Sequence, residues 1–241
     1  MTTEIHPAAH EEAVVHLPDG YSIRSMETGD YPEVGLICAA VYPGETPYTE
    51  AELAAHHAVF PEGQFVVEHE PSGRVAGVHF TLRLDLAHFH LDDDWETLTE
   101  HDTFADHDPG GHTLYTADMM THPRHQHHGI ARALTEAARG LARGRGLWRM
   151  VGGSRLSGYH EWVGRLSPDE YVDRVSRGEM VDPVLTAHLH DGWQAVAPIF
   201  GYLPRDEESA GWSAVFQWLN DACPPPPGFD VSRLSRRSNA S

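Results

Sequence analysis

Apolar residues along the chain recur with two periods, and the change from one to the other marks the elements. Alternating or continuous short runs rich in β-branched and aromatic residues predict strands. They lie at Tyr21–Met26, Gln64–Glu70, Arg74–Leu84, Leu114–Thr121, Leu147–Val151, Trp193–Tyr202 and Gly211–Leu219. The second and third are separated only by Pro71-Ser72-Gly73, which reads as a hairpin. Helical spacing appears elsewhere. Asp30 can cap a helix reaching Val41, with Val34, Leu36, Ile37 and Val41 turned inward. Thr49 and Glu52 form a capping box for a helix to Phe60. From Ile130 onward, Leu134, Ala137, Ala138 and Leu141 share one face and Arg132, Glu136, Arg139 and Arg143 the other, until Gly144 and Gly146 end the helix. Ser167 with Glu170 opens a further helix, and Asp182-Pro183 another that ends at Gly192.

Two stretches interrupt this pattern. Residues 85–113, with Asp92, Asp93, Asp94, Asp102, Asp106 and Asp108, are too long for an ordinary connection and read as an insertion near a substrate entrance; a second insertion covers about 154–181. The His-rich residues 1–19 read as a flexible arm, 20–220 as one domain, and 221–241, opening on a run of prolines, as a polar tail.

Charge narrows the function. The formal net charge is −19, which argues against a nucleic-acid binder. The distribution is uneven: Met1–Asp118 holds three arginines against 23 acids, whereas Met119–Arg155 holds seven arginines against one acid, Glu136. No run of apolar residues is long enough to span a membrane, and Met1–Glu12 has neither the basic nor the apolar region of a secretory signal. Two cysteines, Cys38 and Cys223, cannot form a disulfide framework, so reduced cytoplasmic residence is expected.

The basic segment coincides with a candidate anion site. A strand ends at Thr121, Pro123 closes it, and the loop His122–Ala131 leads directly into a helix whose first amides have no partners. Gly129 and Ala131 keep the approach clear, and Arg124 stands beside them. His122, His125, His127 and His128 crowd the same loop, where an anion would favour their protonated forms. A P-loop is excluded because the chain has no lysine, and Gly144-Arg145-Gly146 follows a helix and lacks the third glycine of a dinucleotide fingerprint.

The spacing Gln126-x-x-Gly129-x-Ala131 after an apolar strand resembles the acetyl-CoA pyrophosphate loop of the GNAT family of N-acetyltransferases, and the element order over about Tyr21–Leu219 is similar to that fold. His107–Asp118, Gly152–His160 and Asp182–Trp193 look like a branch that also occurs beside a carbon–nitrogen hydrolase domain. The resemblance implies an α/β (α+β) domain: a mixed, mostly antiparallel sheet flanked by helices and splayed between its fourth and fifth strands. It implies acetyl-CoA as co-substrate, held by Met119, Met120, Thr121, Arg124, Gln126, His127, His128, Gly129, Ile130 and Ala131. The acceptor is then an amine, small or on a peptide, attacked directly in a ternary complex. Asp118 matches the position of a base; His188 stands where the family often has a tyrosine acid, with Tyr202, Tyr159 or water as alternatives; Arg155, Tyr159 and His160 are candidates for acceptor contacts. A homodimer fits the resemblance, and no metal is expected. Two other classes stay open: a His-rich metal protein, on the strength of His88-x-His90, His101, His107 and His112 without any conventional zinc spacing, and an acyl-CoA sensor without turnover.

Overall fold

The computed structural model describes residues 17–85, 93–203, 206, 209–227 and 229. Most of the expected N-terminal arm, His88-x-His90, Asp92 and the end of the polar tail lie outside them. Seven strands form one sheet: β1 (Tyr21–Ser25), β2 (Gln64–His69), β3 (Arg74–Leu84), β4 (Thr113–Thr121), β5 (Arg149–Arg155), β6 (Gln194–Phe200) and β7 (Trp212–Leu219), in the order β1-β2-β3-β4-β5-β7-β6. Every pairing is antiparallel except β4 with β5. Pro198, which has no amide hydrogen to give a ladder, sits on the edge strand β6.

Helices cover both faces. On one, α1 (Tyr31–Val41) buries Val34, Ile37 and Cys38 against Val78, Phe80 and Met120, and α2 (Glu50–Val59) adds Leu53. The Thr49–Glu52 capping box is formed as its spacing predicts. Leu36 departs from expectation: it is 60% exposed, because with 34, 37, 38 and 41 inward it lies two helical steps from Val34, on the opposite side. On the other face, α4 (Ile130–Gly144) packs Ile130 and Leu134 on Val67 and Ala76, and Ala138 and Ala142 on Leu114 and Met150. The first insertion contains a short α3 (Trp95–Leu98); the second contains α5 (Pro168–Ser176), which joins α6 (Leu185–His190) in a smaller cluster with Leu156 and Ala214.

Two arginines assigned to a solvated face or left without a role are buried. Arg139 is 5% exposed: it gives hydrogen bonds to Glu136 (2.6 Å) and the Asp191 carbonyl (2.6 Å) and lies over Trp193 and Trp218. These tryptophans come from the far end of the chain, so α4's own periodicity could not reveal the burial. Arg149 is fully buried on β5, bonds through Nε to Thr113, and stacks on Trp148 and Phe229. The start of the proline-rich tail is therefore packed down, with Phe229 against Trp148 and Asn220 bonded to the Leu147 carbonyl.

Among the described residues neither terminal nitrogen of Arg149 has a hydrogen-bond partner, and burial lowers its pKa to about 9, the mark of a charge held at a cost. Arg149→Met is expected to stabilise the fold by about 1–3 kcal/mol, raising the thermal unfolding midpoint by several degrees. A lower midpoint would show that the ring stacking outweighs the unpaired charge.

Candidate functional site

Strands β4 and β5 pair over only four positions, from Thr113 with Arg149 to Thr116 with Gly152. Beyond that β4 stays with β3 and β5 with β7, so the sheet opens between them. A bulge at the parting point sets the chemistry. Phe80 opposes Asp118 and Thr81 opposes Thr116, leaving Ala117 as the extra residue. The insertion shifts the alternation by one, so that Asp118 faces the α1 side, as Tyr115 does. Trp95 from the first insertion gives its indole N–H to the Ala117 carbonyl at 2.9 Å.

A cavity of about 510 Å³ occupies this opening. Its α4-side wall includes His79, Met119, Thr135, His188 and Phe216, and its α1-side wall includes Tyr42, Tyr48, Trp95, Asp118, Arg155 and Tyr202. Glycines at 152 and 153 let the walls close in. A Cβ on Gly152 would lie 2.2 Å from the Thr116 hydroxyl, and one on Gly153 would lie 2.1 Å from the Tyr202 ring.

Asp118 is the chemical centre of the α1 side. Tyr42 and Tyr48, from the Pro- and Gly-rich loop between α1 and α2, each donate to its carboxylate, at 2.9 and 3.1 Å. Burial pushes its pKa up to about 6 while these hydrogen bonds pull it down. Such a carboxylate is ionised at neutral pH yet more basic than an exposed one. Tyr202 shares a hydroxyl hydrogen bond with Tyr115, and burial raises its pKa, so it keeps its proton. His188 packs on Phe216 and gives Nδ1–H to the Val184 carbonyl at 3.0 Å; burial lowers its pKa, leaving a neutral ring. Buried His79 is held likewise against the Leu134 carbonyl, with its pKa lowered to about 4 by burial.

The loop before α4 lies on the surface, with Arg124, Gln126, His127, His128, Gly129 and Ala131 exposed. Gly129 is the N-cap, in a left-handed conformation (φ 78°), without any side chain capping the first amides. His127 is also left-handed (φ 64°), which a glycine would adopt more readily. Ile130 is buried, so only its backbone faces a ligand there; Met120 is likewise buried in the core, while the Met119 side chain lines the cavity. An open amide cradle on a 15-residue helix, next to a cavity through the sheet, fits a diphosphate joined to a long thioester arm.

Of the sequence-derived candidates, Asp118, His188, Tyr202 and Arg155 meet on one cavity. Tyr159 and His160 do not line it: Tyr159 bonds the Leu166 carbonyl and packs on Tyr171, and His160 bonds the Ser157 carbonyl. Tyr42, Tyr48 and Trp95 were not anticipated; the signal was a tyrosine pair in a turn-rich loop and an aromatic in an acidic insertion. Among the described residues no group of three or more His, Cys, Asp or Glu could hold a metal ion, and no helix is long and apolar enough to cross a membrane.

Comparison with known proteins gives the same picture. The family described as "Acetyltransferase (GNAT) family" matches residues 21–153. The probable hydrolase YhcX of Bacillus subtilis is 30% identical over 198 residues, 82% of this chain but only 38% of that protein. The uncharacterized N-acetyltransferase YkwB of Bacillus subtilis is 30% identical over 179 residues, 74% of this chain and 78% of that one. In three dimensions, a GNAT-like decarboxylase, GphF, solved with isobutyryl-CoA, superposes with a TM-score of 0.68 at 24% identity, over 82% of this chain and 98% of that one.

The histidines beside the cradle predict a pH dependence. Desolvation, then the neighbouring His69, His122, His128 and Arg124, lower the pKa of His125, whose Nδ1 contacts the Tyr21 hydroxyl at 2.9 Å. The ring is therefore neutral down to a lower pH than usual, and an arriving polyanion reverses the balance by favouring protonation. Binding of coenzyme A is expected to weaken between pH about 5.5 and about 8.5 and to take up protons. Equal dissociation constants by calorimetry at the two pH values would exclude it.

Proposed function

The chain belongs to the acetyltransferase (GNAT) family, and from that premise we propose that it moves the acetyl group of acetyl-CoA to an amine by direct attack in a ternary complex. The observation that carries this reading is Asp118, presented by the β4 bulge to a cavity that passes through the sheet and gripped there by two tyrosine hydroxyls. Acetyl-CoA supplies an acetyl group already activated on sulfur. What the protein adds is position and proton handling.

The open amides from Gly129 onward, with Arg124 beside them, would hold the diphosphate. The parted edges of β4 and β5 would receive the thioester arm, their free backbone groups offering hydrogen bonds that a paired sheet would consume. An ammonium with an ordinary pKa near 10 must lose a proton to become a nucleophile. Asp118, ionised at neutral pH and partly shielded from water, is set to take it. For the departing sulfur, Tyr202 is the better proton source: its hydroxyl stays protonated, whereas His188 has committed its only N–H to Val184. His188 is then a wall of the cavity.

GphF, whose fold is similar, is named as a decarboxylase, so the reaction assigned here rests on Asp118 and its surroundings. An amine acceptor, small or at a peptide end, in a cytoplasmic setting belongs to the same reading. YhcX is much longer than this chain, and the hydrolase activity in its name is not carried over.

Asp118→Asn is expected to lower kcat/KM by roughly 10²–10⁴ while leaving acetyl-CoA binding intact. In the unaltered protein kcat/KM should fall as pH drops through about 6, where Asp118 becomes protonated. Thiol release measured against an amine panel checks both. A profile flat across that range, or an active Asn variant, would remove Asp118 as the base.

A further inference from the structure

Ala117 is the residue that the β3–β4 register passes over, and at its level β5 has already left β4. The extra residue of a bulge has no ladder partner, so its carbonyl is open to a donor from outside the sheet. Trp95 supplies one: its indole N–H, a group that can only donate, meets the Ala117 oxygen at 2.9 Å. That oxygen belongs to the rigid peptide plane that ends at the Asp118 nitrogen, so holding it fixes the backbone from which the carboxylate springs. The backbone N–H of Trp95 meets the Tyr202 carbonyl at 3.4 Å. One residue thus ties β4, one position before Asp118, to the turn that follows β6.

Trp95 is itself held. It begins α3, which Asp94 caps by accepting from the Thr97 amide at 2.7 Å; Thr99 donates its hydroxyl to the Trp95 carbonyl at 2.8 Å; and Leu98 is buried in the main core, on which the Trp95 side chain also packs. A helix of four residues has little stability of its own, so these anchors keep the indole in place. Beyond the Asp118 peptide, Tyr42 and Tyr48 grip the carboxylate. Hydrogen bonds weaken steeply with angle, and a rotation of the 117–118 peptide would carry the carboxylate off both hydroxyls.

We propose that Trp95 is a positioning residue for the transfer reaction: its indole N–H locks the 117–118 peptide, keeping Asp118 seated on Tyr42 and Tyr48 and at a fixed distance from Tyr202. The inference rests on proton removal by Asp118 and adds the group that aims it. The single indole hydrogen is spent on Ala117, so its loss acts on the chemical step and not on acceptor binding.

Trp95→Phe keeps a ring and removes the donor. With an amine that the unaltered protein acetylates, kcat is expected to fall about 10–100-fold, the scale of a base displaced by about an ångström, while both KM values stay within about twofold. In an Asp118→Asn background the same change should lower the residual rate, measured at high enzyme concentration, by less than about twofold, because the group that Trp95 aims is gone. A tryptophan that only supports the fold would slow both backgrounds alike. Calorimetric binding of coenzyme A shows that each variant is folded; should Trp95→Phe fail there, Asp94→Ala, which loosens the start of α3 and leaves the indole, carries the same comparison with a smaller expected loss. An unchanged kcat, an equal loss in both backgrounds, or a loss confined to the acceptor KM overturns the positioning role and leaves acetyl transfer in place. A fully active Asp118→Asn variant, or no thiol release with any amine from unaltered protein that binds coenzyme A, overturns the reading on which it rests and the inference with it.

Discussion

The parallel contact between β4 and β5 stops after four residue pairs, and the site depends on that early stop. A fully paired sheet would present no free backbone edges and no passage between its faces. Here β3 and β7 take over as partners, so each strand keeps one satisfied edge while the other turns to the cavity. The bulge at Ala117 falls at the same level and brings Asp118 round to the α1 side. Glycines 152 and 153 let Phe216 and Tyr202 close on β5 from opposite sides. Sheet opening, the placement of Asp118 and cavity shape thus follow from a few adjacent backbone decisions.

The electrostatics divide along the same line. The net charge of −19 averages over two unlike regions. The loop and helix after β4 carry arginines and histidines next to uncapped amides, suited to a polyanion, while the α1 side of the cavity is walled by carboxylates, suited to a cation. Regions of opposite charge thus lie toward opposite faces of one opened sheet.

Much of the scaffold was legible in the sequence because its elements carry their periods plainly. Strand bounds agree within a residue or two for β1 to β4, the Thr49–Glu52 and Ser167–Glu170 boxes start α2 and α5, and the long arginine-bearing helix begins at Ile130 as its pattern requires. What escaped depends on partners distant in the chain. The burial of Arg139 needs Trp193 and Trp218, and the hydrogen bonds on Asp118 need Tyr42 and Tyr48, about 70 residues away. Left-handed residues in the loop before Phe104 carry no local signal, since glutamate, histidine and phenylalanine are not residues that favour that conformation. The Gly152-Gly153 pair was visible, but its reason, two aromatic rings in close approach, was not.

A crystal structure of the protein with coenzyme A bound is the decisive measurement. The diphosphate is expected on the amides that follow Gly129 and the thiol end between Met119 on β4 and Gly153 on β5, within reach of the Asp118 cavity. Nucleotide density anywhere else, or a thiol end lying outside the gap between the two strands, would contradict it.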